Sequence, residues 1–319
     1  MIFQEFFFAN FFKKIKESKV QKTFVNGVLM ALTDMVPGIS GSTIALVLGI
    51  YQKLLVAIKN IELKPLLKFD FKSFLKSFDF TFLIPLICGM IFSFLVFSRL
   101  FSFFLSHEFY RAFFLSFFLG IVLSCTYFLL KEIKIGFDNL FLILIGSIIS
   151  FSISYFSVGE INLAFNFEIK LIIAGFIAIF AMLLPGISGS LILVMLGIYP
   201  IVINALSNIS NIENLKILGF LAIGIFLGLF VFPKIILFFI KKYYFLVLSF
   251  LIGLMFGSIY ALWPFWFYKK NIFASKTFLI PAKLKIPEVL SLELLLSVSF
   301  LILGFFIFFK IKQKLLIKS

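Results

Sequence analysis

Residues 37–51 read PGISGSTIALVLGIY, and residues 185–199 read PGISGSLILVMLGIY. Eleven of the fifteen positions are identical at a constant separation of 148 residues, which marks the chain as an internal duplication. Each copy lies inside a long apolar stretch, 24–58 and 171–206. Both stretches exceed the roughly 20 residues of one membrane-spanning helix, and a Pro-Gly pair breaks each in the middle. Ordinary single spans follow each copy: 80–105, 112–130 and 140–156 after the first, and 217–240, 245–267 and 292–309 after the second. Weaker echoes extend the repeat, LSFFLG at 115–120 against LSFLIG at 248–253, and FSR at 97–99 against FPK at 232–234. The expected organisation is a basic N-terminal segment at 1–23, a first repeat at 24–157 and a second at 158–319.

The 319 residues are 62% hydrophobic and 13% charged, with 51 Phe. Soluble domains carry about 45–50% apolar and about 25% charged residues. The balance excludes a soluble enzyme or a nucleic-acid-binding protein, in spite of the net charge of +15. The lysines cluster between the apolar runs, the pattern by which multi-pass membrane proteins mark their cytoplasmic side. Cys88 and Cys125 lie in apolar runs and read as free thiols. The N-terminus has Glu5 and no small-residue cleavage site, so it does not read as a signal peptide. Phe3, Phe7, Phe11 and Ile15 recur at helical spacing beside lysines and suggest an interfacial amphipathic helix.

Charge decides between a kinked span and a hairpin that returns to its own side. Hairpins put 19 cations inside and 8 outside, with 2 within spans, whereas kinked spans split them 13 to 14. The positive-inside rule selects hairpins. Its misfit is the polar insert at 268–290, which carries lysines on the outer side. Three spans follow each hairpin, and three is odd, so the second half enters from the opposite face. The expected fold is an all-α polytopic membrane protein with two inverted-topology repeats, each a re-entrant hairpin followed by three transmembrane helices, as in secondary transporters.

At the tips, Pro37 ends a helix and Gly38 and Gly41 permit tight backbone. Ser40, Ser42 and Thr43 stand where a new helix begins, and Gly186, Ser188, Gly189 and Ser190 match them. Unpaired N–H groups at a helix start favour anions, phosphate above all. The other reading is close helix packing through small residues. Arg99 and Lys234 are the cations within spans and occupy matching repeat positions, as phosphate ligands or as snorkelling side chains. Asp34 is the one acid deep in an apolar segment, and Met182 is its counterpart. It is a candidate for coupling to a proton or Na⁺ gradient, for orienting Arg99, or for bonding the broken backbone. His107, Glu108 and Arg111 form a charged outer loop, a site of phosphate or proton access or a solvated turn. No metal site and no cofactor are expected, and a homodimer is left open.

With DMVPGISGSTIALVLGIY and AMLLPGISGSLILVMLGIY in view, the chain resembles a family of bacterial polytopic proteins associated with polyprenyl-phosphate (undecaprenyl-phosphate) translocation, formerly a domain of unknown function. The likeness covers nearly the whole chain. It departs at Ser42, where the family pattern has Gly, and at Gln52, where an acid follows the tyrosine. The resemblance implies a flippase of the bacterial cytoplasmic membrane that returns the lipid carrier phosphate from the outer to the inner leaflet for cell-wall and glycan synthesis. The residues themselves reach only an anion at the midplane, which leaves a transporter of a small soluble anion as the alternative. A lipid-phosphate phosphatase relying on two histidines is disfavoured by the single His107, and no HExxH motif occurs.

Overall fold

The computed structural model describes residues 19–36, 38–62, 65, 70–134, 136–156, 166–273, 276–287 and 291–316. The expected amphipathic helix at 3–15 and the repeat junction at 157/158 lie outside them. The first described helix, α1, runs Lys19–Asp34, so it begins four residues inside the segment assigned to the N-terminal arm. It is followed by α2 (Gly41–Val47), α3 (Tyr51–Lys59) and the short α4 (Phe71–Lys76). Three long helices complete the first half: α5 (Phe80–Ser106), α6 (Glu108–Leu130) and α7 (Phe137–Phe156). The second half opens with α8 (Phe167–Leu183), α9 (Gly189–Met195) and α10 (Tyr199–Ser207). It continues with α11 (Ile212–Gly257), strands β1 (Trp266–Phe273) and β2 (Lys276–Leu284), and α12 (Leu292–Leu316).

Among the described residues, five helices are long and apolar enough to cross a membrane, or seven if each bent pair counts as a span. α5, with 27 residues, extends about 40 Å at 1.5 Å per residue, enough to cross the roughly 30 Å apolar layer with tilt. The 46-residue α11 is two helices joined at Tyr243, whose φ −137°, ψ 49° interrupts the helix beside Lys241 and Lys242.

The broken stretches are built twice to the same plan. α2 and α9 have seven residues each, and α3 and α10 have nine. α2 meets α3 at 114°, and α9 meets α10 at 110°. One break per stretch was expected at Pro-Gly; the structure has two. The second falls at LGIY, where Gly49 and Gly197 take φ of +74° and +66°, a region open to glycine at little steric cost.

Packing repeats as well. α1 lies on α5 and α8 on the first part of α11, while α6 lies on α12 and α7 on the second part of α11. Each pair crosses at glycines from both helices. A side chain on Gly27 would strike Leu86, and one on Gly89 would strike Phe24; Gly175 faces Leu221 and Gly224 faces Ile172 in the same way. Gly120 and Gly304 make the α6–α12 crossing against Leu301 and Phe117, and Gly146 and Gly253 make the α7–α11 crossing against Phe250 and Ile143. Small residues let backbones approach where lipid supplies no hydrophobic drive between helices.

Polar contacts define two ends. At one, Tyr244 donates to Glu132 Oε2 at 3.4 Å, Lys312 Nζ donates to Val47 O, and Lys53 pairs with Asp79 at 3.8 Å. At the other, Arg111 lies over the Tyr268 ring and Lys285 donates to Glu293 at 2.8 Å. α6 and α12 therefore run toward the Glu132 end and the second part of α11 runs away from it. α7 packs in step with that part, Gly146 on Phe250 and Phe151 on Tyr260.

Three expectations change. The span at 245–267 ends at Gly257, and its last residues turn into β1. The insert at 268–290 contributes to an antiparallel hairpin rather than a loop, so the fold is not purely helical. WFYKKNIF and KTFLIPAKL are rich in the β-branched and aromatic residues that suit strands. Finally, α6 begins at Glu108, so Glu108 and Arg111 belong to a helix and His107 alone links α5 to α6. Cys88 and Cys125 are free thiols, the first exposed and the second buried.

Candidate functional site

The two Pro-Gly turns meet in the interior. α1 ends at Asp34 and α8 at Leu183, and Gly38 (φ +90°) and Gly186 (φ +86°) then reverse the chain. Ser40 and Ser188 take extended conformations and begin α2 and α9. The second turn is bound directly to the first. Gly186 N donates to Thr43 Oγ1 at 3.0 Å, and Ser40 Oγ donates to Met182 O at 2.6 Å. Tyr51 OH donates to Leu183 O at 2.9 Å, and Ser150 Oγ reaches Gly186 O at 3.3 Å. Val36, Ala45, Leu55, Ile252, Leu254 and Met255, all buried without accessible surface, pack into the same core. In the turns that follow α11 at 258–262, Ala261 covers Gly38, while Leu254 and Met255 of α11 cover Gly186.

The first tip is internally satisfied. Gly41 N donates to Asp34 Oδ1 at 2.6 Å, Ser42 N to Ser40 Oγ at 3.3 Å and Thr43 N to Ser40 O at 2.9 Å. Ser40 has one hydroxyl proton and spends it on Met182 O, so in the 2.8 Å Ser40–Ser42 contact Ser42 is the donor. Asp34 thus supplies, from within the chain, an acceptor for the amide exposed at the helix start. Of its three readings from sequence, the geometry realises the bond to broken backbone. A side chain on Gly41 would fall 2.5 Å from Asp34 Oδ2.

The second tip lacks that carboxylate. Met182 stands in its place, and Gly189 packs on Ala178 and Met182. Ser188 makes no side-chain cap; its hydroxyl bonds to that of Ser190 at 2.7 Å. Six of the seven residues of α2 are buried, but in α9 only Ile192 is. The pair is asymmetric, with one tip plugged by its own acid and the other more open and lined by hydroxyls.

The remaining candidates lie elsewhere. Arg99 and Lys234 are exposed, on α5 and α11, and among the described residues no ion pair joins either to Asp34. Arg111 is 6% exposed, donates from Nε to Leu105 O at 2.6 Å and from Nη2 to Ser106 O at 3.2 Å, and lies 4.1 Å from the Tyr268 ring centre. It ties the α5–α6 corner to the β-hairpin. Burial pushes the Tyr268 phenol above its usual range, against the opposing pull of Arg111. His107 Nδ1 lies 2.8 Å from Phe103 O at the same exposed corner, and Glu108 follows it. Among the described residues, no group of three His, Cys, Asp or Glu is placed to hold a metal ion.

A cavity of about 230 Å³ opens beside the LGIY turn, lined by Leu46, Tyr51, Gln52, Tyr244 and Leu248. Tyr51, 1% exposed, is part of its lining and bonds the second tip through its hydroxyl. Neither the second turn nor this cavity was read from the sequence, although LGIY is itself repeated.

A family model described as undecaprenyl phosphate translocase-like matches residues 30–278. A polyprenyl-phosphate transporter of Vibrio cholerae is 33% identical over 246 residues, covering 76% of this chain and 77% of the relative. A polyprenyl-phosphate transporter of Staphylococcus aureus is 33% identical over 254 residues, covering 75% of this chain and 85% of the relative. No solved structure matches the chain. The matched region contains both tips, and the chain belongs to the undecaprenyl phosphate translocase-like family.

Proposed function

We propose that this chain is a multi-pass transporter of the bacterial inner membrane that carries polyprenyl phosphate from the outer to the inner leaflet, without chemical change to the lipid. The observation that carries the reading is the direct bond between the two tips, Gly186 N to Thr43 Oγ1, inside a chain of this family. Non-helical backbone at membrane depth is tolerated where it is enclosed by protein or lines a polar path. The phosphate passes between the tips, with the Ser188 and Ser190 hydroxyls on its open side, while the isoprenoid chain stays among the apolar side chains facing lipid.

The two halves are read as inverted repeats. Support comes from the matched crossings and from the helix directions, since α6 runs opposite to its counterpart, the second part of α11, and α7 runs opposite to its counterpart α12. The Glu132 end, with Lys131, Lys241, Lys242 and Lys312, is assigned to the cytoplasm by its positive charge. The outward-to-inward direction is the one that carrier-lipid recycling requires.

Asp34 supplies the coupling. Two like charges about 4 Å apart repel by about 4 kcal/mol at an effective dielectric of 20. A phosphate beside an ionised Asp34 bears that cost, and neither Arg99 nor Lys234 is buried at the tips to offset it. Protonation of Asp34 removes the repulsion, so a proton travels with the phosphate.

Reconstituted liposomes test the reading. A leaflet-resolved assay of undecaprenyl phosphate should show transfer that depends on the protein and resists excess inorganic phosphate. Transfer of inorganic phosphate in place of the lipid would replace this function with that of a soluble-anion transporter.

A further inference from the structure

Two cavities flank α11 around its break at Tyr243, each lined from both sides of that break, and they share one wall. One is the 230 Å³ cavity beside LGIY, whose lining includes Gln52, Tyr51 and Tyr244 among aliphatic side chains; the Tyr51 hydroxyl is given to Leu183 O and that of Tyr244 to Glu132. The other is a cavity of about 390 Å³ lined by Ile236, Phe239, Tyr243, Leu246 and Phe250, with no polar surface. Val247 lines both. The second volume alone falls in the roughly 300–1,000 Å³ range of ligand pockets.

A chamber with Gln52 and two tyrosines in its lining (the polar chamber) and a wholly apolar chamber, divided by one valine, fit an amphiphile, its head in the first and the start of its chain in the second. We infer that this pair is the site at which polyprenyl phosphate docks at the Glu132 end, phosphate beside Gln52 and Tyr244 and the first isoprene units against Phe239 and Phe250. Three observations fix the occupant. The polar chamber ends on Tyr51, whose hydroxyl bonds Leu183 O of the second tip, so it adjoins the transport path. Lys241 and Lys242 immediately precede the break, and Lys242 lies 5.1 Å from the ring of Tyr243, which lines the apolar chamber, so a cation stands beside that wall. The apolar chamber is lined by α7 residue Leu142 and both parts of α11, a wall that a branched chain fills by surface contact alone. The inference rests on the proposed transport of polyprenyl phosphate and adds the place where that lipid is held.

The test uses the full chain in liposomes containing phosphatidylglycerol. A benzoylphenylalanine replacing Phe250, in a protein otherwise unchanged, should cross-link labelled undecaprenyl phosphate. Unlabelled undecaprenyl phosphate should displace the label, and excess hexadecyl phosphate should not. Val247→Trp, which fills both chambers, should weaken undecaprenyl phosphate binding by at least about tenfold, the effect of losing contact with a few methylenes. Equal capture of phosphatidylglycerol at Phe250 would identify ordinary boundary lipid and overturn the site. Transport that proceeds with no capture at Phe250 would also overturn it, leaving the transport reading intact. Capture without leaflet transfer would instead sustain the site and count against the proposed function. If Val247→Trp fails to fold, the Phe250 probe decides alone.

Discussion

Gly186 N donates to Thr43 Oγ1 at 3.0 Å, so the glycine that turns the second half is held by a hydroxyl of the first. Neither turn can shift without the other while that bond persists. Any opening of the midplane path must break it or move both tips together, which makes it a candidate for the element that synchronises the halves.

Thr43→Val keeps the side-chain shape and removes the acceptor. Gly186 N–H is then buried without a partner, at a cost of about 1–3 kcal/mol. The expected result is a lower unfolding temperature and impaired transfer of undecaprenyl phosphate, with Thr43→Ser restoring both. Thermal unfolding in detergent and the leaflet assay measure the two effects. Unchanged values in the valine variant would mean that the tips are held by other contacts.

Asp34→Asn separates the structural role of this side chain from its charge. The amide oxygen of Asn can still accept from Gly41 N, which now donates to Asp34 Oδ1 at 2.6 Å, so the fold should persist. What disappears is the titration. Transfer by the variant should be insensitive to an imposed proton gradient, whereas wild-type transfer should accelerate with it. A variant that keeps the wild-type response would assign coupling to another group.

Much of this site was legible because the duplication is printed in the sequence. The matched Pro-Gly turns, their convergence and the singular Asp34 all follow from PGISGS read twice. The interaction of Asp34 with Gly41 spans seven residues across a break, and no helical periodicity describes that. Gly49 was quoted within the motif, but a glycine among apolar residues reads equally as a packing site, and only its φ of +74° identifies a turn. The β-hairpin was hidden by composition, since aromatic and aliphatic residues pervade the whole chain and strand alternation does not stand out against them. Arg99 shows a different limit. Sequence places a cation within a span but does not say which face of the helix carries it.

Arg99 and Arg111 therefore exchange importance. Arg99 is exposed, so Arg99→Ala should leave protein abundance unaltered and transfer within about twofold, as for surface changes of about 0.5 kcal/mol or less. Arg111→Ala removes the donors to Leu105 O and Ser106 O and the contact with Tyr268. It should lower the unfolding temperature and expose the β-hairpin to protease. Loss of transport in a stable Arg99→Ala protein would return Arg99 to the phosphate path.

Lys312 reaches from α12 to Val47 O in the last turn of α2, where helix carbonyls have no intrahelical partner and cations are favoured. It anchors the returning arm of the first hairpin to the opposite half of the chain. Lys312→Met retains the apolar stem but leaves the carbonyl without its charged donor, a loss of about 1.5–3 kcal/mol for a bond to a charged group. Hydrogen exchange should quicken in α2 and α3 but not in α9 and α10, because the second hairpin has no such link among the described contacts. Lys312→Arg should restore protection. Equal acceleration in both hairpins would show that the halves unfold as one unit and that Lys312 does not hold the first arm separately.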